Sequence, residues 1–291
     1  MVIDLNKILL AAFLLGFTPR AQAPTDRSPG PAKDAEPDQA LNSRYCRVEY
    51  TADREQDAKK LASYADSSLD RMSRDLAPLD PRLMDHFDCA IVQYGIPKPG
   101  LATNAQATTD SENGGRSFRI SILAQSSISP TSRTLVGEPK DEDYMQKTIA
   151  DELSSVVLER ITRHKGAGWY FHDAPQWFVQ GIEGYFGIEY SSPHSRDITL
   201  PKYVTAVCSN AHEVSFTGGI HVGNPYVGGF VLTLFLYDVY GKERVNALLM
   251  SHRPSFEEAF LDLFGDIVSV ESKYNSWNAK RCEGAVTPNP R

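Results

Sequence analysis

The sequence of 291 residues lacks the features that mark several common binding classes. It has no Cys-x-x-Cys pair, which argues against a zinc ribbon or a thioredoxin-like redox motif. It has no dense run of lysine and arginine, and its 30 basic against 37 acidic residues give a net charge of -7. Because nucleic acid requires clustered positive charge, we expect no nucleic-acid partner. The remaining composition, 41% hydrophobic and 23% charged, is that of an ordinary globular protein.

The sequence also has no apolar run that would span a bilayer. Residues 8–17 (ILLAAFLLGF) are apolar, but this run is shorter than the roughly 20 residues that a membrane helix needs. Lys7 precedes the run and Ala21-Gln22-Ala23 follows it, which is typical of a signal peptide covering residues 1–23. We therefore expect an exported protein, secreted or periplasmic, without stable membrane insertion. The alternative is a membrane anchor or a short N-terminal helix.

Cysteine is scarce, and its use agrees with export. The four cysteines are Cys46, Cys89, Cys208 and Cys282, which in an oxidising compartment suggest two disulfides. Three pairings are open, and we favour Cys46–Cys89 and Cys208–Cys282 because each pair then stays within one half of the chain. Four buried free thiols in a cytosolic protein are the alternative. No Asn-x-Ser/Thr sequon offers independent support for secretion.

The ends of the chain are predicted to lack a fold of their own. Residues 24–44 contain four prolines among small and charged residues, which predicts a disordered linker. Order is expected to begin with a strand at residues 45–50. Residues 102–115 are predicted to be a polar loop, and residues 283–291 a flexible tail.

Hydrophobic periodicity predicts an α+β fold. Apolar residues at three- and four-residue steps from Ala58 to Leu76 predict a helix, and the alternation of Phe118, Ile120 and Ile122 with polar residues predicts a half-exposed strand. Residues 45–142 are expected to form a small α/β lobe with a mixed sheet, and residues 143–282 a mainly helical lobe. We also predict a strand at residues 89–92. One helix is expected to begin near residue 143 and another after residue 175. Three more are expected over residues 226–240, 244–250 and 255–264, and a last helix is expected to end near residue 277.

Three segments in a fixed order are the strongest functional signal. The clearest is residues 174–185 (APQWFVQGIEGY), which contain Trp177, Gly181, Glu183 and Tyr185. Residues 148–157 (TIADELSSVV) precede it, and the segments from Tyr226 to 241 and from 255 to 260 follow it. The set resembles the gluzincin, or peptidase MA-like, metallopeptidases over residues 45–281. In that family one helix carries His-Glu-x-x-His, and a later helix of the type Trp-x-x-Glu-Gly-x-x-x-Tyr supplies the third zinc ligand.

The residues at the implied ligand positions differ from those of the family. Carried over one by one, the ligand positions hold Asp151, Ser155 and Gln180, and only Glu152 retains the family residue, at the general-base position. Losing both imidazoles should weaken zinc binding by roughly 6 kcal/mol, on the order of ten-thousand-fold. Without the metal, Glu152 has no acidified water to deprotonate. We therefore expect no cofactor, and zinc only if an atypical site is active.

Other cation sites have weaker support. The histidines are scattered, and no two have metal-ligand spacing on one helix. Asp151, Glu152, Gln180 and Glu183 offer oxygen atoms that a hard cation such as calcium accepts. A polar, hydrogen-bonded patch without metal is the interpretation we favour.

The resemblance implies a cleft and a function. The expected cleft lies between the strand of Ile120 and the two motif helices, where an extended peptide would add along residues 118–123. We expect a peptide- or protein-binding module that has lost proteolysis, acting on an unidentified peptide or protein. The alternatives are an active hydrolase with Glu152 as general base, and a structural domain whose own side chains fill the cleft.

Overall fold

The computed structural model describes residues 36–96, 105–109, 117–134, 137, 139–165, 174–209 and 214–282. These residues belong to one compact unit that begins at Asp34. The predicted signal peptide at 1–23, the linker up to residue 35 and the tail at 283–291 lie outside the described residues.

The larger sheet has five strands and is mixed. Its strands are β1 (Gln39–Asn42), β2 (Cys46–Tyr50), β3 (Asp88–Tyr94), β4 (Ala105–Thr109) and β5 (Ser117–Leu123). Their order is β1-β2-β3-β5-β4. The three central strands are parallel, whereas the two edge strands, β1 and β4, run antiparallel to their neighbours. A two-stranded sheet is formed by β6 (Val214–Ser215) and β7 (His221–Val222).

Eight helices lie in the described residues. They are α1 (Glu55–Leu76), α2 (Glu142–Lys165), α3 (Gln176–Glu189), α4 (Pro193–Ser209), α5 (Val227–Tyr240), α6 (Lys242–Leu249), α7 (Phe256–Phe264) and α8 (Ile267–Cys282). Helix α1 packs on β2, while α2 packs on α1, α3 and the edge strand β4. The site described below depends on this position of α2.

One face of the large sheet is buried in the main core, whereas the opposite face is exposed in part, since Val92 and Tyr94 on it are also buried. Val48, Phe118 and Ile120 are at most 2% exposed and join the main core. On the opposite face Arg119 of β5 and Glu49 of β2 form an ion pair at 3.3 Å.

The α+β class and most predicted helices are confirmed. The helix expected over residues 58–76 is α1, and the stripe that begins near residue 143 is α2. The helix after Pro175 is α3, and the nearly all-apolar helix near 226–240 is α5, with ten buried residues. The gluzincin arrangement and the division into two lobes stay predictions.

Three expectations about strands are wrong. Order does not begin at Tyr45, because β1 lies inside the predicted linker and pairs with β2. The predicted loop at 102–115 contains β4. Strand β5 is no edge, since β3 and β4 pair with its two sides. Ile120, expected to face the cleft, is fully buried in the core, so a peptide cannot add along residues 118–123.

Both favoured disulfides are confirmed. Cys46 and Cys89 are register partners on β2 and β3, with their Cα atoms 4.5 Å apart. Cys208 at the end of α4 bonds to Cys282 at the end of α8, with a Cα–Cα distance of 5.5 Å. Among the described residues, no helix combines the length and the apolar character needed to cross a bilayer.

Candidate functional site

A cleft of about 980 Å³ opens between the edge strand β4, helices α2 and α3, and the turn before α5. This volume is typical of a small-molecule or peptide site. The cleft lining includes six residues that the sequence analysis singled out: Asp151, Glu152, Ser155, Gln180, Glu183 and Tyr226.

Helix geometry explains how α2 supplies three of these groups. Asp151 and Ser155 are four residues apart and share one helix face, and Glu152 lies beside them on the same turn. The Glu152 carboxylate accepts a hydrogen bond from the backbone N–H of Ala107 in β4. Glu152 therefore connects α2 to the edge strand β4.

Glu152 titrates near neutral pH. Burial and, less strongly, the negative charge of Asp151 raise its pKa to about 8, against the opposing effects of the Ala107 N–H and Lys147. A carboxyl group whose pKa lies near the working pH exists in both protonation states, as a proton carrier requires.

Glu183, on helix α3, faces Asp151 and Glu152 of helix α2. Its side chain is buried, and burial together with the charge of Asp151 raises its pKa well above the usual range. The Ser155 hydroxyl donates a hydrogen bond to it, and Gln180 Nε2 donates to Glu183 Oε2 at 3.3 Å. Ser155 and Gln180, two of the implied ligand positions, thus bond to Glu183.

Lys147 supplies a positive charge to the cleft. One helical turn before Asp151, its Nζ lies 4.0 Å from Asp151 Oδ1, and its side chain is 15% exposed. Burial acts to lower the pKa of Lys147, but Tyr203, Asp151 and Tyr144 outweigh it and the net shift is upward. Lys147 therefore stays charged. Burial raises the pKa of Asp151 and the charge of Lys147 lowers it by a smaller amount, so the net shift of the Asp151 pKa is upward.

The remaining predicted site residues divide between the cleft and the core. Tyr226 is 43% exposed at the cleft, and burial together with the nearby carboxylates raises its pKa. Trp177 is buried, with its ring 5.8 Å from that of Phe256. Tyr185 stacks on Tyr237 with ring centroids 4.4 Å apart. Trp177 and Tyr185 do not line the cleft and pack the helices that form it.

Gly181 permits the close contact of α3 with α5. A Cβ atom at Gly181 would lie 2.7 Å from Thr233 Oγ1 and still closer to the carbonyl oxygen of Gly229. Gly229 in turn leaves room for the backbone of Trp177. The two glycines bring the helices together and hold α3 in place behind the cleft.

The residues present do not fit a catalytic zinc. Among the described residues that line the cleft, none is a histidine or cysteine, the ligands that bind zinc most strongly. The described part of the chain contains no group of three or more His, Cys, Asp or Glu side chains placed to hold a metal ion. The Lys147 ammonium beside Asp151 would also repel a dication.

Sequence reasoning missed Lys147, Tyr203 and Ala107. Lys147 carried a detectable signal, since Lys147 and Asp151 have the i,i+4 spacing of a helical ion pair. Tyr203 lies on α4, a helix with Pro201 in its interior that we did not predict. Ala107 contributes only its backbone to Glu152, and a backbone donor leaves no mark in a sequence.

Comparisons with known proteins find no family model, no curated protein and no solved structure that matches the chain. The likeness to the gluzincins therefore depends on the residues themselves.

Proposed function

We propose that the protein is a peptidase-like binding module whose cleft holds an extended peptide segment along β4, without zinc and without proteolysis. The observation that carries the proposal is the junction of α2 with the sheet edge, where Glu152 accepts a hydrogen bond from the Ala107 N–H. Ala107 is an edge residue of the sheet and lines the cleft. An edge strand offers the backbone hydrogen bonds through which peptides bind by strand addition.

The loss of hydrolysis is supported by the chemistry of the lining. The implied ligand positions hold a carboxylate paired with Lys147, a hydroxyl and an amide, and the last two are bonded to Glu183. The cleft also remains open, which is contrary to a purely structural domain with a cleft filled by its own side chains.

Export is part of the same proposal. Two disulfides are typical of proteins that fold in an oxidising compartment. The partner we propose is therefore an extracellular or periplasmic peptide or protein segment, and the module regulates it or acts as a decoy.

A working hydrolase is the second candidate, and one observation favours it. The pKa of about 8 at the half-buried Glu152 suits a general base or acid. In that case Glu152 would take a proton from water in contact with a bound peptide, with or without an added metal.

One experiment separates the two candidates. The purified protein is incubated with a random decapeptide library, and mass spectrometry measures both the peptides retained and the cleavage products. We expect retention without cleavage, and a strong loss of retention in Ala107→Pro. Proline removes the N–H that faces the cleft, but Ala107 does not use that N–H to pair with β5, so the strand can persist at the sheet edge.

The matched control is Thr108→Ala. Thr108 is the next residue of β4, is exposed and does not line the cleft, so retention should equal that of the wild type. Equal retention by Ala107→Pro, with the fold verified by circular dichroism, would contradict strand addition. Cleavage that is lost in Glu152→Gln would establish the hydrolase, and sensitivity to a chelator would show that it needs a metal.

A further inference from the structure

Helix α2 reaches the edge strand β4 through the side chain of Glu152. Within the described part of the chain, β4 pairs with β5 alone, and the Ala107 N–H donates a hydrogen bond to the Glu152 carboxyl group instead. In an antiparallel ladder, the N–H and C=O groups of one residue point to the same side, and successive residues alternate between the two sides. The Ala107 N–H therefore lies in the row of backbone groups that an added strand would use.

The Glu152 carboxyl group occupies the place of a ligand carbonyl group. When a peptide adds to a sheet edge, the outward N–H groups of the edge strand donate to carbonyl oxygens of the peptide. The Ala107 N–H has a single hydrogen, which a side-chain oxygen of the same chain already accepts. A peptide can therefore bond to this group only after Glu152 has left it.

The contact can open while both elements stay in place. Ile149 and Leu153 of α2 are fully buried in the main core and hold the helix. Glu152 itself is half-buried and lines the cleft of about 980 Å³, into which its side chain can turn by rotation about its own bonds. Displacement of Glu152 therefore requires a change of rotamer and no change of fold.

We propose that Glu152 is an intramolecular competitor of the peptide, so that the free protein is autoinhibited at the edge of β4. This inference rests on the proposed function and adds the regulation of the same site. The apparent affinity is reduced because Glu152 must first release the Ala107 N–H. The cost of displacing Glu152 is the same for every ligand, whereas the backbone bonds of the ligand increase in number with its length. The contact therefore favours long extended segments over short ones.

Removal of the competitor should strengthen binding. The probe is the acetylated and amidated heptapeptide Thr-Val-Thr-Ala-Thr-Val-Thr, which carries no charge, and calorimetry measures its Kd. Glu152→Met keeps an unbranched side chain of similar length but has no oxygen to accept the bond. We expect this variant to bind the peptide about fivefold tighter than the wild type, as the net contribution of one hydrogen bond implies. Glu152→Gln keeps an amide oxygen as acceptor, so its gain should be smaller.

Exchange of single backbone amides, measured by NMR, tests the contact itself. In the free Glu152→Met protein the Ala107 amide should exchange faster than in the wild type, because it has lost its acceptor, and bound peptide should slow it again. The Thr108 amide is the internal control, since alternation directs it to β5, where Thr108 is the register partner of Arg119. Its exchange should not change, which also verifies that the sheet is intact.

Two further variants complete the design. Glu152→Ala removes the acceptor without adding a side chain that could contact the peptide, and it should also bind the peptide more tightly. General damage to the fold would weaken binding and so cannot imitate this gain. Glu257→Gln, which removes one exposed charge on α7, should match the wild type in both measurements.

The outcomes separate this inference from the proposed function. Equal or weaker binding in both Glu152→Met and Glu152→Ala would overturn the competition while strand addition stands. Tighter binding without faster exchange at Ala107 would show that a different contact causes the gain, which also contradicts the inference. Failure of the peptide to bind to any of the proteins, the wild type included, would contradict the proposed function itself.

Discussion

Two opposing influences act on the pKa of Glu152. It is largely enclosed, yet it accepts a hydrogen bond from the backbone of a different element, the Ala107 N–H. Burial favours its neutral form and the hydrogen bond favours its charged form. Because burial has the larger effect, the net shift of its pKa is upward, to about 8.

This shift predicts that stability falls as the pH rises. The pKa of Glu152 is about 8 in the folded protein against an ordinary value of 4.5. Between these values the folded state holds a proton that the unfolded state has lost, so the free energy of unfolding decreases by up to about 1.4 kcal/mol per pH unit. The stabilisation is complete below pH 4.5 and is lost as the pH rises through about 8. Urea unfolding from pH 5 to 8.5 should show a smaller decrease for Glu152→Gln than for the wild type.

The control for this titration is Glu257→Gln, which removes one exposed charge on α7. Its stability should change with pH as that of the wild type does. Asp151 and Glu183 also have raised pKa values, so the decrease persists in part after Glu152 is replaced. Identical pH dependence in wild type and Glu152→Gln would show that Glu152 is ionised throughout this range.

At the scale of elements, the contact of α3 with α5 forms the back wall of the cleft. Gly181 lets the two helices approach, whereas Gly184, less than one turn further along α3, has room to spare. A Cβ at Gly184 would meet only Asp151 Oδ1, at 3.9 Å. One helix therefore offers a tight glycine and a loose glycine for comparison.

We expect Gly181→Ala to destabilise the protein and Gly184→Ala to leave it unchanged or more stable. The added methyl at Gly181 must push α3 away from Gly229, and overpacking of this kind costs about 1–3 kcal/mol. At Gly184 the better helix propensity of alanine contributes up to about 1 kcal/mol. Denaturant unfolding of the two variants measures both values. A Gly181→Ala variant as stable as Gly184→Ala would contradict the close contact of these helices.

Sequence reasoning was most successful for elements with strong periodicity. Helices α1, α2, α3 and α5 carry long apolar patterns in the sequence. The apolar residues of these patterns are buried in the core, as the patterns predict. Strand β4 has the sequence AQATT, which is short and weakly apolar, so only its pairing with β5 specifies it. Strand order is also a tertiary property, and for this reason β5 was mistaken for an edge.

The candidate site was predictable to a similar extent. Helical spacing placed Asp151, Glu152 and Ser155 together, and the second motif added Gln180 and Glu183 from α3. The bond between Glu152 and the sheet edge was not predictable, because it depends on how far β4 extends over α2. The tyrosine contact of Lys147 depends likewise on the packing of α4.

At the scale of the whole molecule, the cleft is assembled from segments far apart in the chain. Its lining includes Gln106 of β4, Tyr144 of α2, Val179 of α3, Tyr203 of α4 and Asn224 before α5. Helix α4 is fixed at its end by the disulfide from Cys208 to Cys282 of α8. The positions of Tyr203, and through it of Lys147, therefore depend on a covalent link outside the cleft.

The two disulfides should contribute similarly to stability but differently to the cleft. Sequence separations of 74 and 43 residues imply that each stabilises the fold by about 4 kcal/mol through loop closure. Replacing Cys46 and Cys89 by serine leaves β2 and β3 paired through their backbone. Replacing Cys208 and Cys282 instead frees the end of α4 from α8. We expect hydrogen exchange of α4 amides to accelerate, and peptide retention to weaken, only in the second variant. Similar exchange of α4 in both variants would show that packing alone holds Tyr203 against Lys147.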